Sequence, residues 1–153
     1  MSMWEPFTKL AQHSIVLARE EAKRLGNTDI GTEHILLGII AQGDTVAVKA
    51  LEMLGIDLAK VRQEVEANAG HGAPPIRDEV QFTPDAKRVI ELAFEEARTQ
   101  SYNYIGTESL LLGIIREGDG LGGRVLKGLG VDAAEVRART SSLVNGENQP
   151  PAS

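Results

Sequence analysis

The sequence contains no cysteine, which excludes a disulfide framework and every site built on thiolate, whether a metal centre or a catalytic nucleophile. It also lacks any block of basic residues: Lys and Arg number 16 against 22 Asp and Glu, for a net charge of −6. Binding along a nucleic-acid backbone requires a basic face that displaces counterions, so DNA and RNA are not expected as partners. No apolar run approaches the roughly 20 residues that span a bilayer. The opening Met1-Ser2-Met3-Trp4-Glu5-Pro6 has neither the charged nor the apolar region of an export signal. The expectation is a soluble, cytosolic protein with no membrane partner.

At 153 residues and 42% hydrophobic content, the chain has enough apolar material for a real core in one compact unit. That material is concentrated in a stretch that occurs twice, Ile30-Gly31-Thr32-Glu33-His34-Ile35-Leu36-Leu37-Gly38-Ile39-Ile40 and Ile105-Gly106-Thr107-Glu108-Ser109-Leu110-Leu111-Leu112-Gly113-Ile114-Ile115. Each copy has the form of a cap followed by a core helix. Thr32 and Thr107 are placed to cap, and Glu33 and Glu108 stand where the helix dipole favours negative charge. A run this apolar does not suit a surface helix, so each copy is expected at the centre of its repeat, with only the Thr-Glu end near water.

Before the first copy, Ala11, Ile15, Ala18, Ala22 and Leu25 follow Phe7-Thr8 at helical spacing, and Gly26-Asn27-Thr28-Asp29 ends the segment. Gly43-Asp44 closes the central helix. A third helix over residues 45–54 presents Val46, Ala47, Ala50, Leu51 and Leu54, with Gly55 after it, and Asp57 caps a fourth that carries Leu58, Val61 and Val65. Sliding the sequence by 75 residues lays 82–140 on 7–65 without a gap, and 27 of the 59 aligned positions are identical. This internal duplication makes the expected fold class all-α: two tandem four-helix repeats related by pseudo-two-fold symmetry. The chain then divides into an N-terminal segment at 1–6, repeat 1 at 7–65, a linker at 66–81 containing Gly70-His71-Gly72-Ala73-Pro74-Pro75, repeat 2 at 82–140 and a flexible polar tail at 141–153. Ala11, Ala18 and Ala22, matched by Ala86, Ala93 and Ala97, let helices approach closely.

Gly118-Asp119-Gly120-Leu121-Gly122-Gly123 has the spacing of a dinucleotide fingerprint and, with Arg124, approaches a phosphate loop. A fingerprint follows a strand, whereas a helix precedes this segment, and a phosphate loop needs Lys then Ser or Thr where the chain has Arg124-Val125. The glycines therefore read as an interhelical loop, with no nucleotide cofactor. His13, His34 and His71 share no ligand spacing, so no metal is expected, and His34 reads as a surface histidine beside a helix start. No base with an orienting group recurs beside Thr32 and Thr107, so no catalytic residue is assigned and the chain is not expected to be an enzyme. Glu20-Glu21 and Glu95-Glu96, near Lys23 and Arg98, read as a solvated face. What does recur with its context is Thr8 with Glu33, and Thr83 with Glu108. Both threonines are good N-caps, the second followed by Pro84 at the first helical position. A helix start also binds phosphate and an exposed carboxylate binds guanidinium, so together they suit a ligand carrying both charges.

Phe7-Thr8, Glu20-Glu21-Ala22, the stretch at 30–40 and Leu54-Gly55-Ile56-Asp57, each repeated 75 residues on, resemble the Clp N-terminal domain, most closely that of ClpC-type unfoldases. The resemblance covers about residues 7–140. It implies an all-α double repeat that precedes two AAA+ ATPase modules in bacterial cytoplasm or plastid stroma, and that receives adaptor proteins and protein substrates for threading into the ClpP protease. For ClpC-type members it further implies recognition of arginine-phosphorylated proteins, with Glu33 and Glu108 for the guanidinium and Thr8 and Thr83 at helix starts for the phosphate. ATP belongs to the AAA+ modules, whose phosphate loop is not in this sequence. A stand-alone repeat protein that regulates a Clp machine by binding its partners is the alternative.

Overall fold

The computed structural model describes residues 6–69 and 81–147, all of the chain except 1–5, 70–80 and 148–153. Among the described residues the chain forms eight α-helices and no strand longer than an isolated bridge. Repeat 1 holds α1 (Lys9–Arg24), α2 (Thr32–Gln42), α3 (Val46–Met53) and α4 (Leu58–Asn68); repeat 2 holds α5 (Pro84–Thr99), α6 (Thr107–Glu117), α7 (Leu121–Gly128) and α8 (Ala133–Glu147). None of these helices is long and apolar enough to cross a membrane alone.

The caps follow from the residues. Thr8 Oγ1 accepts from the Ala11 N–H and Thr83 Oγ1 from the Ala86 N–H, each at 3.1 Å, so both threonines begin their helices as the spacing predicts. Asp57 likewise accepts from the Ala59 N–H at 3.0 Å. The core helices differ from expectation. Their N-caps are Gly31 and Gly106, and Thr32 and Thr107 are the first helical residues. In α2 the capping is done by His34, which is only 2% exposed. Its Nδ1 accepts from the Gly31 N–H at 2.8 Å, which leaves the proton on Nε2 to donate to Asn27 Oδ1 at 2.7 Å. His34 is thus a buried cap and not a surface residue, because a neutral imidazole offers the acceptor that the buried Gly31 N–H needs.

The linker and tail also differ where they can be seen. α4 runs to Asn68, so the first residues of the expected linker at 66–81 are helical, while 70–80 lie outside the described residues. α8 continues to Glu147, past the boundary at 140 and into the tail expected to be flexible. Val144 is 3% exposed there, an apolar anchor that the polar composition of 141–153 conceals.

α2 and α6 lie at the centre, as an almost continuous apolar run requires: Ile35, Leu36, Leu37 and Ile39, with Leu110, Leu111 and Ile114, are wholly enclosed. Removal of each such side chain from water stabilises the fold by about 1.5–3 kcal/mol. One hydrophobic cluster takes in both repeats. The most extensive helix pairs are α1 with α2 and α5 with α6. Gly38 faces the Ser14 carbonyl and the Ala18 backbone, and Gly113 faces the Val89 carbonyl, so near that a Cβ at either position would overlap the neighbouring helix. Glycine on one helix and alanine on the other let the axes approach.

The outer helices are fastened by buried carboxylates. Glu21 and Glu96 are 9% and 3% exposed, which corrects their reading as a solvated face. Glu21 on α1 meets Arg62 on α4 at 2.9 Å, and its counterpart Glu96 on α5 meets Arg137 on α8 at 2.6 Å. Removing a carboxylate from water is costly unless it is paired, so both acids sit where an arginine from the fourth helix arrives. Burial pushes the Glu21 carboxyl up, and the hydrogen bonds and charges of Arg62 and Arg24 more than reverse this, leaving it below its ordinary pKa.

Two predictions follow from the helix contacts. In Gly38→Ala the new methyl meets the Ser14 carbonyl, and overpacking of this kind costs about 1–3 kcal/mol in a urea melt. Gly128→Ala, whose Cβ would meet nothing within 4 Å, is the control; it gains up to about 1 kcal/mol from helix propensity. The second concerns acid. Burial lowers the His34 pKa against the opposing charges of Glu33 and Glu21. The unfolded chain therefore binds that proton more readily, and stability is full above the unfolded value of about 6.5 and declines as pH falls below it. The melting temperature drops between pH 7.5 and 5.5, and His34→Ser, which installs the residue of the other repeat, shows a smaller drop.

Candidate functional site

The two repeats exchange backbone at their helix starts. Thr8 N–H donates to the Ile105 carbonyl at 2.9 Å and Ile105 N–H to the Pro6 carbonyl at 2.8 Å; Thr83 N–H donates to the Ile30 carbonyl at 2.9 Å and Ile30 N–H to the Gln81 carbonyl at 2.7 Å. Each set maps on the other by a shift of 75 residues. The hydroxyls cross in the same way. Thr32 Oγ1 accepts from the Gly122 N–H in α7 at 2.9 Å, and Thr107 Oγ1 from the Ala47 N–H in α3 at 3.3 Å. Thr32 and Thr107 therefore do cap helices, but those of the opposite repeat. Having both partners inside the protein, they are 1% and 0% exposed; of the two glutamates expected near water, Glu108 is enclosed at the repeat interface, whereas Glu33 is half-buried.

This exchange decides which predicted site residues meet. Along the chain Thr8 goes with Glu33 and Thr83 with Glu108; in space Glu33 and Thr83 line one cavity of about 300 Å³, while Thr8 is bonded to the segment leading into Glu108. The pairing is across repeats because each first helix starts against the loop that enters the other core helix. Around the Glu33 cavity stand the starts of α2, α5 and α7, contributing Gly31 and Thr32, Thr83 and Asp85, and Gly120 and Leu121. Each of the three starts is the positive end of a helix dipole, although Pro84 has no N–H and the Ala86 and Gly122 N–H groups already donate to Thr83 Oγ1 and Thr32 Oγ1. Three carboxylates, Glu33, Asp85 and Asp119, and the Arg124 guanidinium complete the wall. The Glu33 carboxylate folds back over Gly31, in space that any side chain at Gly31 would take.

The pseudo-equivalent position is closed. Glu108 is 2% exposed, with Ser109 Oγ donating to its Oε1 at 3.4 Å, and Thr8 is buried, whereas Glu33 and Thr83 are half-buried. Tyr102 stands where repeat 1 has Asn27. Burial, with the Glu108 carboxylate nearby, raises its hydroxyl above the ordinary pKa. Of the four predicted residues, the structure thus brings Glu33 and Thr83 to an open cavity and encloses Glu108 and Thr8.

Asp85 carries no motif, and Asp119 and Arg124 fall in and beside the glycine-rich segment that reads as an interhelical loop, so none of the three was assigned to a site. The one available signal was the glycine-rich segment 118–123. Its role is geometric: a Cβ on Gly120 would overlap the Thr32 side chain and one on Gly122 would stand 2.8 Å from the Thr32 carbonyl oxygen, so only glycine lets the start of α7 reach Thr32. In repeat 1 the same stretch is Thr45-Val46-Ala47-Val48, and Thr45 caps α3 with its own hydroxyl. Among the described residues no group of His, Asp and Glu gathers as metal ligands do.

Residues 6–129 and 82–150 match the family of the Clp repeat (R) N-terminal domain. The chain is 48% identical over 148 residues to the chaperone protein ClpC1, chloroplastic, of Arabidopsis thaliana, covering 97% of this chain and 16% of that protein. It has the same identity to an ATP-dependent Clp protease ATP-binding subunit ClpA homolog, chloroplastic, of Brassica napus, covering 97% of this chain and 17% of the other. The chain thus spans about one-sixth of the length of these curated relatives. Among solved structures, the N-terminal domain of the ClpD chaperone of Arabidopsis thaliana superposes with a TM-score of 0.74 at 31% identity, covering 95% of this chain and 98% of that one. The Hsp104 N-terminal domain of Candida albicans shares the fold at 19% identity, with a TM-score of 0.74 over 94% of this chain and 95% of its own. With its duplicated helices, its exchanged helix starts and these matches, the chain belongs to the Clp repeat N-terminal domain family, the N-terminal domain of ClpC- and ClpD-like unfoldases.

Proposed function

We propose that this domain is a non-catalytic docking platform, receiving protein substrates and adaptor proteins on behalf of AAA+ modules that thread them into the ClpP protease. Membership of the family supports the docking role, and the chloroplastic relatives favour the plastid stroma over the bacterial cytoplasm. The ligand proposed for the Glu33 cavity is a phosphoarginine side chain of a tagged protein. One observation carries this: Glu33 shares a cavity with Thr83 and three helix starts, so a carboxylate and the positive ends of three helix dipoles border the same small volume. A guanidinium paired with Glu33 forms a charge-assisted, bidentate contact, and its phosphate meets N–H groups at the helix starts, with Arg124 alongside. Free arginine lacks the second half of this recognition and free phosphate the first. The enclosure of Glu108 assigns it a structural role in the proposal, so the two carboxylates named by the resemblance part company.

Calorimetry with phosphoarginine, using arginine and phosphate as controls, tests the assignment. Glu33→Ala removes a charge-assisted contact of about 1.5–3 kcal/mol and weakens phosphoarginine tenfold or more, with the helical spectrum and the melt preserved. Thr83→Ala weakens it less, because backbone donors remain, and lowers stability by about 1 kcal/mol through the lost cap. Glu108→Ala acts instead on the melt, lowering stability by about 1–3 kcal/mol, and leaves the affinity in place. Unchanged affinity in Glu33→Ala would sink the assignment.

A further inference from the structure

A groove of about 420 Å³ runs between α4 and α7 and opens into the Glu33 cavity, the two sharing Asn68, Leu121 and Arg124 as common walls. Its sides differ in character. α4 presents Lys60, Glu64 and Asn68, one residue per turn, and α7 presents Leu121, Val125 and Leu129 at the same spacing. One wall therefore offers hydrogen-bonding side chains and the other an apolar stripe with Arg124 beside it. From Leu121 to Leu129 the groove follows about 12 Å of helix, room for about three or four residues of extended chain.

One position along the groove carries no side chain. Gly128 lines it, and a Cβ built there meets nothing within 4 Å. At the pseudo-equivalent place in α3 the residue is Met53, a large side chain 50% exposed. Opposite it α8 keeps charged residues, Glu135 and Arg139, where α4 has Lys60 and Glu64, and carries Leu143 where α4 has Asn68.

We propose that the α4–α7 groove seats about three or four residues of an extended polypeptide flanking the charged side chain held at Glu33, with apolar side chains against Leu121, Val125 and Leu129. The proposal rests on the reading of the Glu33 cavity as the charged subsite and extends it to the class of substrate: an unfolded, apolar segment next to the tag. An occupant of this kind follows from the continuity of the two spaces. A side chain anchored at Glu33 leaves its own backbone at the mouth of the groove. An extended segment also presents what each wall takes, peptide N–H and C=O groups to α4 and alternate side chains to α7.

The test compares free phosphoarginine with peptides that carry one phosphoarginine and four apolar residues on its N-terminal or C-terminal side, titrated into the whole chain and into Gly128→Met. The variant restores the methionine of the other repeat and keeps the helix, since methionine is a better helix former than glycine. One of the two peptides is expected to bind the unmodified chain at least tenfold more tightly than the free amino acid. Gly128→Met is expected to remove most of that gain while leaving the free amino acid unchanged. Equal affinity of peptides and amino acid, or a gain that survives Gly128→Met, overturns the groove. Peptide binding that is sensitive to Gly128→Met, with no binding of free phosphoarginine and none lost in Glu33→Ala, upholds the groove and overturns the charged subsite. No binding of either ligand overturns both.

Discussion

Every feature of this domain depends on the reciprocal crossing of helix starts at the repeat interface. A threonine that opens one core helix spends its hydroxyl on the other repeat's third helix, and the segment before each first helix bonds to the loop before the opposite core helix. First-turn N–H groups have no acceptor within their own helix, so they need one from outside. Drawing those acceptors from the partner repeat makes the repeats mutually dependent. It also gathers three helix starts, with their aligned dipoles, around one cavity. Interface and candidate site are therefore the same set of bonds.

Duplication supplies the framework twice, and a few side chains make its halves unequal. Glu33 stays half-buried beside an open cavity, and Glu108 is enclosed. The sequence changes around them are small: His34 against Ser109, Asn27 against Tyr102, Met53 against Gly128. Asn27 and His34 bond to each other and complete the cap of α2, whereas Tyr102 lies within the field of Glu108. With the backbone relation preserved, both halves hold the interface, and only the Glu33 half keeps an open cavity beside it.

Buried charge holds the periphery as hydroxyls hold the centre. Glu21 and Glu96 join first helix to fourth in each repeat, α1 to α4 and α5 to α8, through Arg62 and Arg137. Arg116 of α6 also reaches Glu96, so the second repeat ties three helices at one carboxylate. An unpaired carboxylate at these positions would carry a desolvation cost with nothing to offset it, which favours the one packing in which the arginines arrive. The same condition fixes where α4 lies and therefore the wall of the α4–α7 groove.

The sequence alone determined the all-α class, the number and order of the helices, the caps at Thr8, Thr83 and Asp57, and the burial of α2 and α6. These are local matters: helical spacing, cap chemistry and an apolar run each act within a few residues, and a 75-residue repeat states them twice. Tertiary structure alone decided that Thr83 belongs with Glu33, that Thr32 caps α7, that His34 and Glu21 are buried, and that α8 continues to Glu147. Most of these depend on residues distant in the chain meeting across the interface or between outer helices, and a repeated pattern carries no mark of whether a contact closes within a copy or between copies. The glycines of α7 show the limit well. Their spacing imitates a nucleotide motif, while the reason for them is a threonine ninety positions away whose backbone leaves no room for a Cβ.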